Sequence, residues 1–585
     1  MLLKRSLFTM LAAVSLITVP ALSIAPPKAF AQSETAPILQ SRSIASILPA
    51  ETFGVALINT QDDRWKELSQ FQLFPTNLTF PGLLLYPNAK GTSFVNDIQP
   101  WLGDQFGIAL LSAKSIVMVS SVKDQTALNQ YIDRIKASRT APAKVIQYKG
   151  ATILEFQPEK PIGEDSKPPK ATKKPEAAKP QFYQVPKLAI AVLPGYLINS
   201  DSASALEELL DGQGKLADNP KFQRVVQNPK ATRSLATFYG KYAEMIKAVN
   251  EMSRSQIEQL SQLSPNTLVP PPFDPNKLDP LAQFYDTADG YIWAEPTGMR
   301  TEISVNFKQS VPESVLSKFT TQNQILDRLP AVNYMVTNSQ NLALYWRVLT
   351  LGLESQPAWK KSVDQTRQWM QSFAGIDDRD VFPWMTGEYT VFAYPTTKGF
   401  LPAIAPNTDI AMGFMVQTTD RPTAETTLNK LTTFVTPRLG KASIQQTTIA
   451  GQPVTSYEAG RSHNFFSYGW TDQNTLLMLF GGGSISEFSP PPTRNLTQSA
   501  NFKSAIEPFP TANIGYFYVN QGAFMTFVNN SLLPAFVGQS GMKNPFVTQV
   551  QDSLASIHSI SSAGTITPDR IQYGGFLALA PRVKR

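Results

Sequence analysis

Two stretches of the chain carry the same succession of apolar and polar positions. Val55 to Ile58 is a short apolar run that predicts a strand. After it Trp65, Leu68 and Phe71 fall at spacings of three, one face of an amphipathic helix starting near Asp62. The succession returns as a strand over Tyr334–Thr337 and a helix capped near Ser339. Val336 and Trp346 stand 281 residues after Val55 and Trp65, the same offset that separates Leu329-Pro330-Ala331 from Leu48-Pro49-Ala50. Both tryptophans read as core anchors of their helices.

The most specific recurrence is Asp97-Ile98-Gln99-Pro100-Trp101, which returns as Asp380-Val381-Phe382-Pro383-Trp384. A glycine and an acid follow each, Gly103-Asp104 and Gly387-Glu388, and each then enters an apolar stretch. The proline forces extended geometry on the residue before it, and the tryptophan anchors the turn in a core. The aspartate can bond turn amides, and the glycine can supply a positive φ. Every residue of the element thus has a structural part to play.

The remaining pattern follows in parallel. Ile116–Val122 and Ile410–Val416 predict strands, each followed by a helix with an aspartate N-cap, Asp124 through Leu128 to Ile135 and Asp420 through Leu428 and Leu431. Glycine-led strands follow, Gly150–Phe156 and Gly451–Tyr457, then hairpin-like stretches over Leu188–Asn199 and Phe465–Leu479. Leu216 and Phe222 answer Leu496 and Phe502; Leu235, Phe238 and Tyr239 answer Ile514, Phe517 and Tyr518. Arg300 before Thr301–Phe307 answers Arg570 before Ile571–Leu579. Ser234–Leu263 reads as a longer helical section, and Pro312–Leu326 as a linker helix.

The expected class is α+β: an internal duplication of two similar modules, each mainly antiparallel sheet with packed helices. Module one spans 48–308, a linker helix 309–328, module two 329–580, and a basic tail 581–585. A Lys/Pro-rich insertion at 158–181 has no counterpart and reads as an exposed disordered loop, with weak contact to anionic surfaces as its functional alternative.

Charge changes the picture little. The formal +7 includes Lys4, Arg5 and Lys28 in the leader, a net two in 158–181 and three in the tail, which leaves the globular part at −1. The basic balance therefore gives no support to nucleic-acid binding. Lys4-Arg5, the apolar Leu7–Ile24 and Ala29-Phe30-Ala31 read as a signal peptide over 1–31, cleaved between Ala31 and Gln32. No later run approaches the length of a transmembrane helix, and the absence of cysteine suits an oxidising compartment. The expected location is the periplasm, with thylakoid lumen or extracellular space as alternatives.

Candidate chemistry is thin. His463 and His558 are the two histidines, too few for a zinc centre, and His463 reads as a loop residue. No Gly-x-Ser-x-Gly elbow is present. Gly212-Gln213-Gly214-Lys215 lacks phosphate-loop spacing, and Gly481-Gly482-Gly483-Ser484 reads as a strand-to-helix turn. The acids of Asp377–Asp380 and Asp286–Gly290 lack calcium-loop spacing. No cofactor, metal or catalytic residue is assigned. The sharp enzymatic alternative is a cofactor-free hydrolase using Asp104 and Glu388 as paired carboxylates.

The leader, the Leu-Pro-Ala opening, Trp65…Phe71-Gln72-Leu73-Phe74 and Asp97-Ile98-Gln99-Pro100-Trp101-Leu102-Gly103-Asp104 resemble an uncharacterised family of exported proteins common in cyanobacteria, domain of unknown function 3352. The resemblance covers most of the mature chain and implies an envelope or lumenal setting. It carries no catalytic residue. The expected function is that of a non-catalytic envelope protein binding a protein partner or an apolar ligand through its paired modules. Phe465, Phe466, Tyr468 and Trp470 are its exposed-looking aromatics.

Overall fold

Period-two and fully apolar segments need partners on both edges, and here they find them in one sheet. A computed structural model describes residues 43–74, 93–158, 187–248, 251, 284–354, 357–396, 410–436, 443–459, 463–529, 551 and 554–582. The leader with its Ala31–Gln32 junction, nearly all of the Lys/Pro-rich insertion, the end of the Ser234–Leu263 section and residues 583–585 lie outside them.

Ten strands come before residue 308: β1 (Gly54–Asn59), β2 (Leu102–Leu110), β3 (Ile116–Val122), β4 (Lys144–Tyr148), β5 (Ala151–Phe156), β6 (Leu188–Leu193), β7 (Tyr196–Ser200), β8 (Ala236–Lys241), β9 (Tyr285–Glu295) and β10 (Gly298–Phe307). Ten follow: β11 (Met335–Gln340), β12 (Glu388–Tyr394), β13 (Ala411–Gln417), β14 (Ser443–Ile449), β15 (Gln452–Ala459), β16 (His463–Trp470), β17 (Thr475–Phe480), β18 (Tyr516–Asn520), β19 (Ile557–Thr567) and β20 (Arg570–Leu579). All pair antiparallel in one 20-stranded sheet. The first run lies in the order β4-β5-β6-β7-β3-β2-β1-β8-β9-β10. The second continues as β20-β19-β18-β11-β12-β13-β17-β16-β15-β14, the mirrored order. The join is β10 against β20, with Glu302 opposite Gly574 at its midpoint.

The sequence left open whether the sheets merge; they do. Even the tight turns match, with positive φ at both Lys149-Gly150 and Ala450-Gly451, the turn geometry that suits a twisted hairpin.

Side-chain alternation sends residues to two faces. On one, Val55, Tyr239, Tyr291 and Trp293 pack with the helices Ala203–Asp211 and Pro220–Val226. Tyr518 and Phe576 of the second run pack with Ala500–Ile506. On the other, Ile58 and Phe106 meet the helix Gln125–Ala137, and Val416 and Leu476 meet Arg421–Val435. Both of the latter helices start on the expected caps: Asp124 accepts from Ala127 N at 3.0 Å and Asp420 from Thr423 N at 3.2 Å.

Several expectations need correction. Ser234–Leu263 is not one helical section, because its Ala236–Lys241 is β8, held between β1 and β9. The linker is not a continuous helix: a short turn at Glu313–Leu316 and a 3-10 helix at Gln324–Arg328 flank a bridge between Thr321 and Asn513. Strand β11 runs through Ser339, and Asn341 caps the helix instead, accepting from Leu344 N at 3.0 Å. His463 opens β16 rather than lying in a loop, and Asp286–Gly290 lies inside β9. Trp470 is buried under the Arg421 guanidinium, while Phe465, Phe466 and Tyr468 are half-buried. Arg570 opens β20 as Gly298 opens β10, so Arg300 is not its counterpart in the ladder.

Candidate functional site

The repeated Asp-x-x-Pro-Trp element holds structure in both runs. Asp97 accepts from Ser93 N at 2.6 Å and pairs with Arg134 at 3.1 Å. Asp380 accepts from Asp377 N at 3.0 Å and pairs with Lys430 at 3.1 Å. Each aspartate thus closes its own turn and ties it to the neighbouring helix. Trp101 and Trp384 are buried, Pro100 and Pro383 exposed. The indole N–H of Trp101 donates to Asp97 O at 2.9 Å, whereas that of Trp384 has no partner among the described residues.

Gly103 and Gly387 do not have positive φ. Close approach explains them better: a β-carbon on Gly103 would collide with the Ser121 hydroxyl, and one on Gly387 would lie 2.7 Å from the Gln417 β-carbon.

The matched acids slip apart. Asn59 stands opposite Gln105, and Gln340 opposite Glu388, so Gln105 and not Asp104 occupies the place of Glu388. Gln105 accepts from Ile44 N at 3.2 Å; Glu388 accepts from Ile325 N at 2.7 Å and from the Thr321 hydroxyl at 2.6 Å. Both fasten the short helix that opens their run. Asp104 is exposed. Eight strands separate β2 from β12, on the order of 40 Å along the sheet at the usual strand spacing. Asp104 and Glu388 therefore share no cleft, and the paired-carboxylate reading loses its geometry.

The acids near Asp380 are also engaged. Asp377 bonds Arg379, which with its backbone bond holds the carboxyl down at about 2. Arg367 holds Asp378 below the usual carboxylate range, and the Trp346 indole adds a bond at 2.9 Å.

What the residue patterns did not reveal lies at the join. Across one row Phe238, Gly290, Ile303, Tyr573 and Gly564 stand opposite one another in turn, and so on one face. The next row is Ile292, Thr301, Gly575, Ser562 and Phe517. The glycines put no side chains on this floor. Phe238, Ile292, Thr301, Ile303, Ser562, Tyr573 and Phe517 remain partly exposed.

Two apolar clusters bound this shallow trough. One gathers Tyr285, Leu316, Phe319, Ile514 and Ile571, with Val305, Phe307 and Leu344 against it. The other gathers Leu68, Phe71, Leu235 and Leu579, with Met299 and Leu577 against it. Burial drives the Tyr573 hydroxyl upward, and Tyr285, Tyr345 and Tyr242 reinforce the shift. The trough offers apolar surface with the Thr301 and Ser562 hydroxyls on its floor and phenols at one end.

The opposite face of the same strands carries the packed Tyr239, Tyr291, Trp293, Tyr518 and Phe576 together with paired polar groups. Lys230 reaches Glu302 at 2.5 Å, and Asn306 donates to Asp289 at 2.9 Å. Burial raises the Asp289 carboxyl against the opposing pull of Asn306. Arg300 crosses the join to donate to Pro508 O at 2.7 Å and covers the Phe509 ring. Among the described residues no group of three His, Cys, Asp or Glu could hold a metal ion, and no helix is long and apolar enough to cross a membrane.

A family model described as "Protein of unknown function (DUF3352)" matches residues 9–579. No curated protein matches the chain. Among solved structures, crystal form III of TP0453 is similar at 10% identity with a TM-score of 0.23, covering 49% of this chain and 87% of that one. Crystal form IV of TP0453 is similar at 11% identity and 0.24, covering 46% and 81%. Scores this low carry no argument about fold or function.

Proposed function

We propose that this chain, which belongs to the DUF3352 family of proteins of unknown function, is a non-catalytic exported protein that holds an apolar, acyl-chain-like ligand in the trough at its central join. The observation that carries the reading is the partly exposed double row from Phe238 to Phe517 across the middle of the sheet. Helices cover much of the sheet elsewhere in the two runs, with Met412 and Phe480 of β13 and β17 as an exposed exception, and here two apolar clusters lie at either end of the strands. Each methylene buried there would contribute about 0.8 kcal/mol before the cost of association.

The mirrored strand order supports an origin by duplication, and the trough is then a site that a single run could not form. The leader, read from sequence, supports export to the periplasm, with thylakoid lumen or extracellular space as alternatives. A protein partner on the same surface is the second form of the binding reading, and the phenols at one end favour the small ligand. The hydrolase alternative has no support in the placement of Asp104 and Glu388.

The test is native mass spectrometry of residues 32–585 produced by export and purified gently. A mass excess that vanishes on denaturation, and is missing from Thr301→Trp of unchanged thermal stability, is the expected result. A wild-type protein of bare mass that also fails to take up added fatty acid would overturn it.

A further inference from the structure

The helix Leu342–Glu354 leaves the trough and runs outward. Leu344 packs in the cluster at the trough's end, and Tyr345 lies in the electrostatic neighbourhood of Tyr573. Leu344, Val348 and Leu351 fall at i, i+4 and i+7, one stripe of the helix. Exposure rises along the stripe: Leu344 is half-buried, Val348 is 38% exposed and Leu351 57%. The returning helix Pro357–Ala374 adds Trp369 at 61%.

This hairpin is held as an arm. Arg367 joins Glu354 on the first helix at 2.5 Å and Asp378 at the base at 2.6 Å. Trp346 donates to the same Asp378 and stacks on Phe382 with ring centroids 4.1 Å apart. A packed arm that shows leucine, valine and tryptophan to the outside is built to meet something apolar.

Its charge indicates what. Glu354 is taken by Arg367 and Asp364 by Lys360. Arg347, one helical turn from Leu344 and Leu351, and Lys361 on the second helix are exposed and have no ion-pair partner among the described residues, leaving two cations on the arm. Thirteen residues of helix span about 20 Å, short of a bilayer core of about 30 Å. Such an element lies on a membrane surface, with tryptophan and leucine at the headgroup boundary and cations toward anionic lipid.

We infer that the paired helices Leu342–Glu354 and Pro357–Ala374 dock on an anionic lipid surface and provide the path along which an acyl ligand passes between bilayer and trough. The path rests on the ligand reading above; the docking stands on the hairpin alone.

Co-sedimentation with phosphatidylglycerol–phosphatidylcholine vesicles tests it. The full chain is expected to sediment with these vesicles and less with phosphatidylcholine alone. Leu351→Glu with Trp369→Glu should lower partitioning at least tenfold while the ligand's mass excess persists. Thr301→Trp should do the opposite, losing the ligand and keeping the vesicles. Arg347→Glu with Lys361→Glu, both at exposed positions, should weaken binding to the anionic vesicles only. A wild-type chain that stays in the supernatant, including one that captures a protein instead, overturns the docking. So does a double variant that sediments like wild type. Vesicle binding with no ligand in any sample would leave docking intact and refute the trough and the path together.

Discussion

The chain does two different things after β1 and after β11. After β1 a five-residue helix, Asp62–Lys66, ends at once, and Leu68 and Phe71 turn in against Leu579 of the other run. That contact is stitched by a bridge from Phe71 to Pro581 and by Arg582 donating to Ser69 O at 2.9 Å. After β11 the equivalent helix continues to Glu354 and returns as a second helix. The matching cluster on that side of the join is filled mainly by Leu316 and Phe319 of the linker, with Leu344 near the helix start against it. Because the linker plugs the core, the helix after β11 is released from that task and can extend outward. One arm therefore closes the protein while the other offers a surface.

Mutations that strike both runs at matched places sharpen the comparison. The largest effect is expected at the buried tryptophans, where Trp101→Ala and Trp384→Ala should each cost about 3–5 kcal/mol in urea unfolding. Trp101→Phe should cost about 1 kcal/mol more than Trp384→Phe, since only the first loses an indole bond, to Asp97 O. Equal costs for the two phenylalanine variants would break the assigned asymmetry. Next come the residues that fasten the opening helices. Glu388→Ala leaves Ile325 N and Thr321 without their acceptor and should cost about 1–3 kcal/mol, against about 1 kcal/mol for Gln105→Ala.

The smallest effect is a pH dependence confined to the second run. Asp377 and Asp378 have folded-state values below those of an unfolded chain, so their stabilisation is full above about pH 4. It is lost as pH falls through the folded values, down to about 2 for Asp377. Arg367→Met should flatten the fall in stability over that window more than Arg379→Met, because Arg379 is 67% exposed and its pair is screened. Parallel slopes in wild type and Arg367→Met would contradict the role given to Asp378.

Elements with local signals were legible. The limits of β3, the caps at Asp124 and Asp420 and the recurrence of Asp-x-x-Pro-Trp depend on neighbouring residues, and the pattern reports neighbours. Register was not legible. Gly103-Asp104 and Gly387-Glu388 look alike as words, but the ladder, set by Asn59–Gln105 and Gln340–Glu388, shifts the match by one. β8 was misread in part because the helical stretch that follows it masked its boundary. The trough went unseen because it is made by the join, from strands far apart in sequence. Its one available signal was glycine inside strand patterns, at Gly290, Gly564 and Gly575, where a flat floor or close approach is implied.

The most direct test of the central claim is a titration of the purified full-length mature chain with an environment-sensitive fluorescent fatty acid. The account predicts saturable binding near one probe per chain, weakened at least tenfold in Thr301→Trp and unchanged in Asp104→Asn. Absence of saturable binding in the wild type, or equal binding in Thr301→Trp, would contradict it.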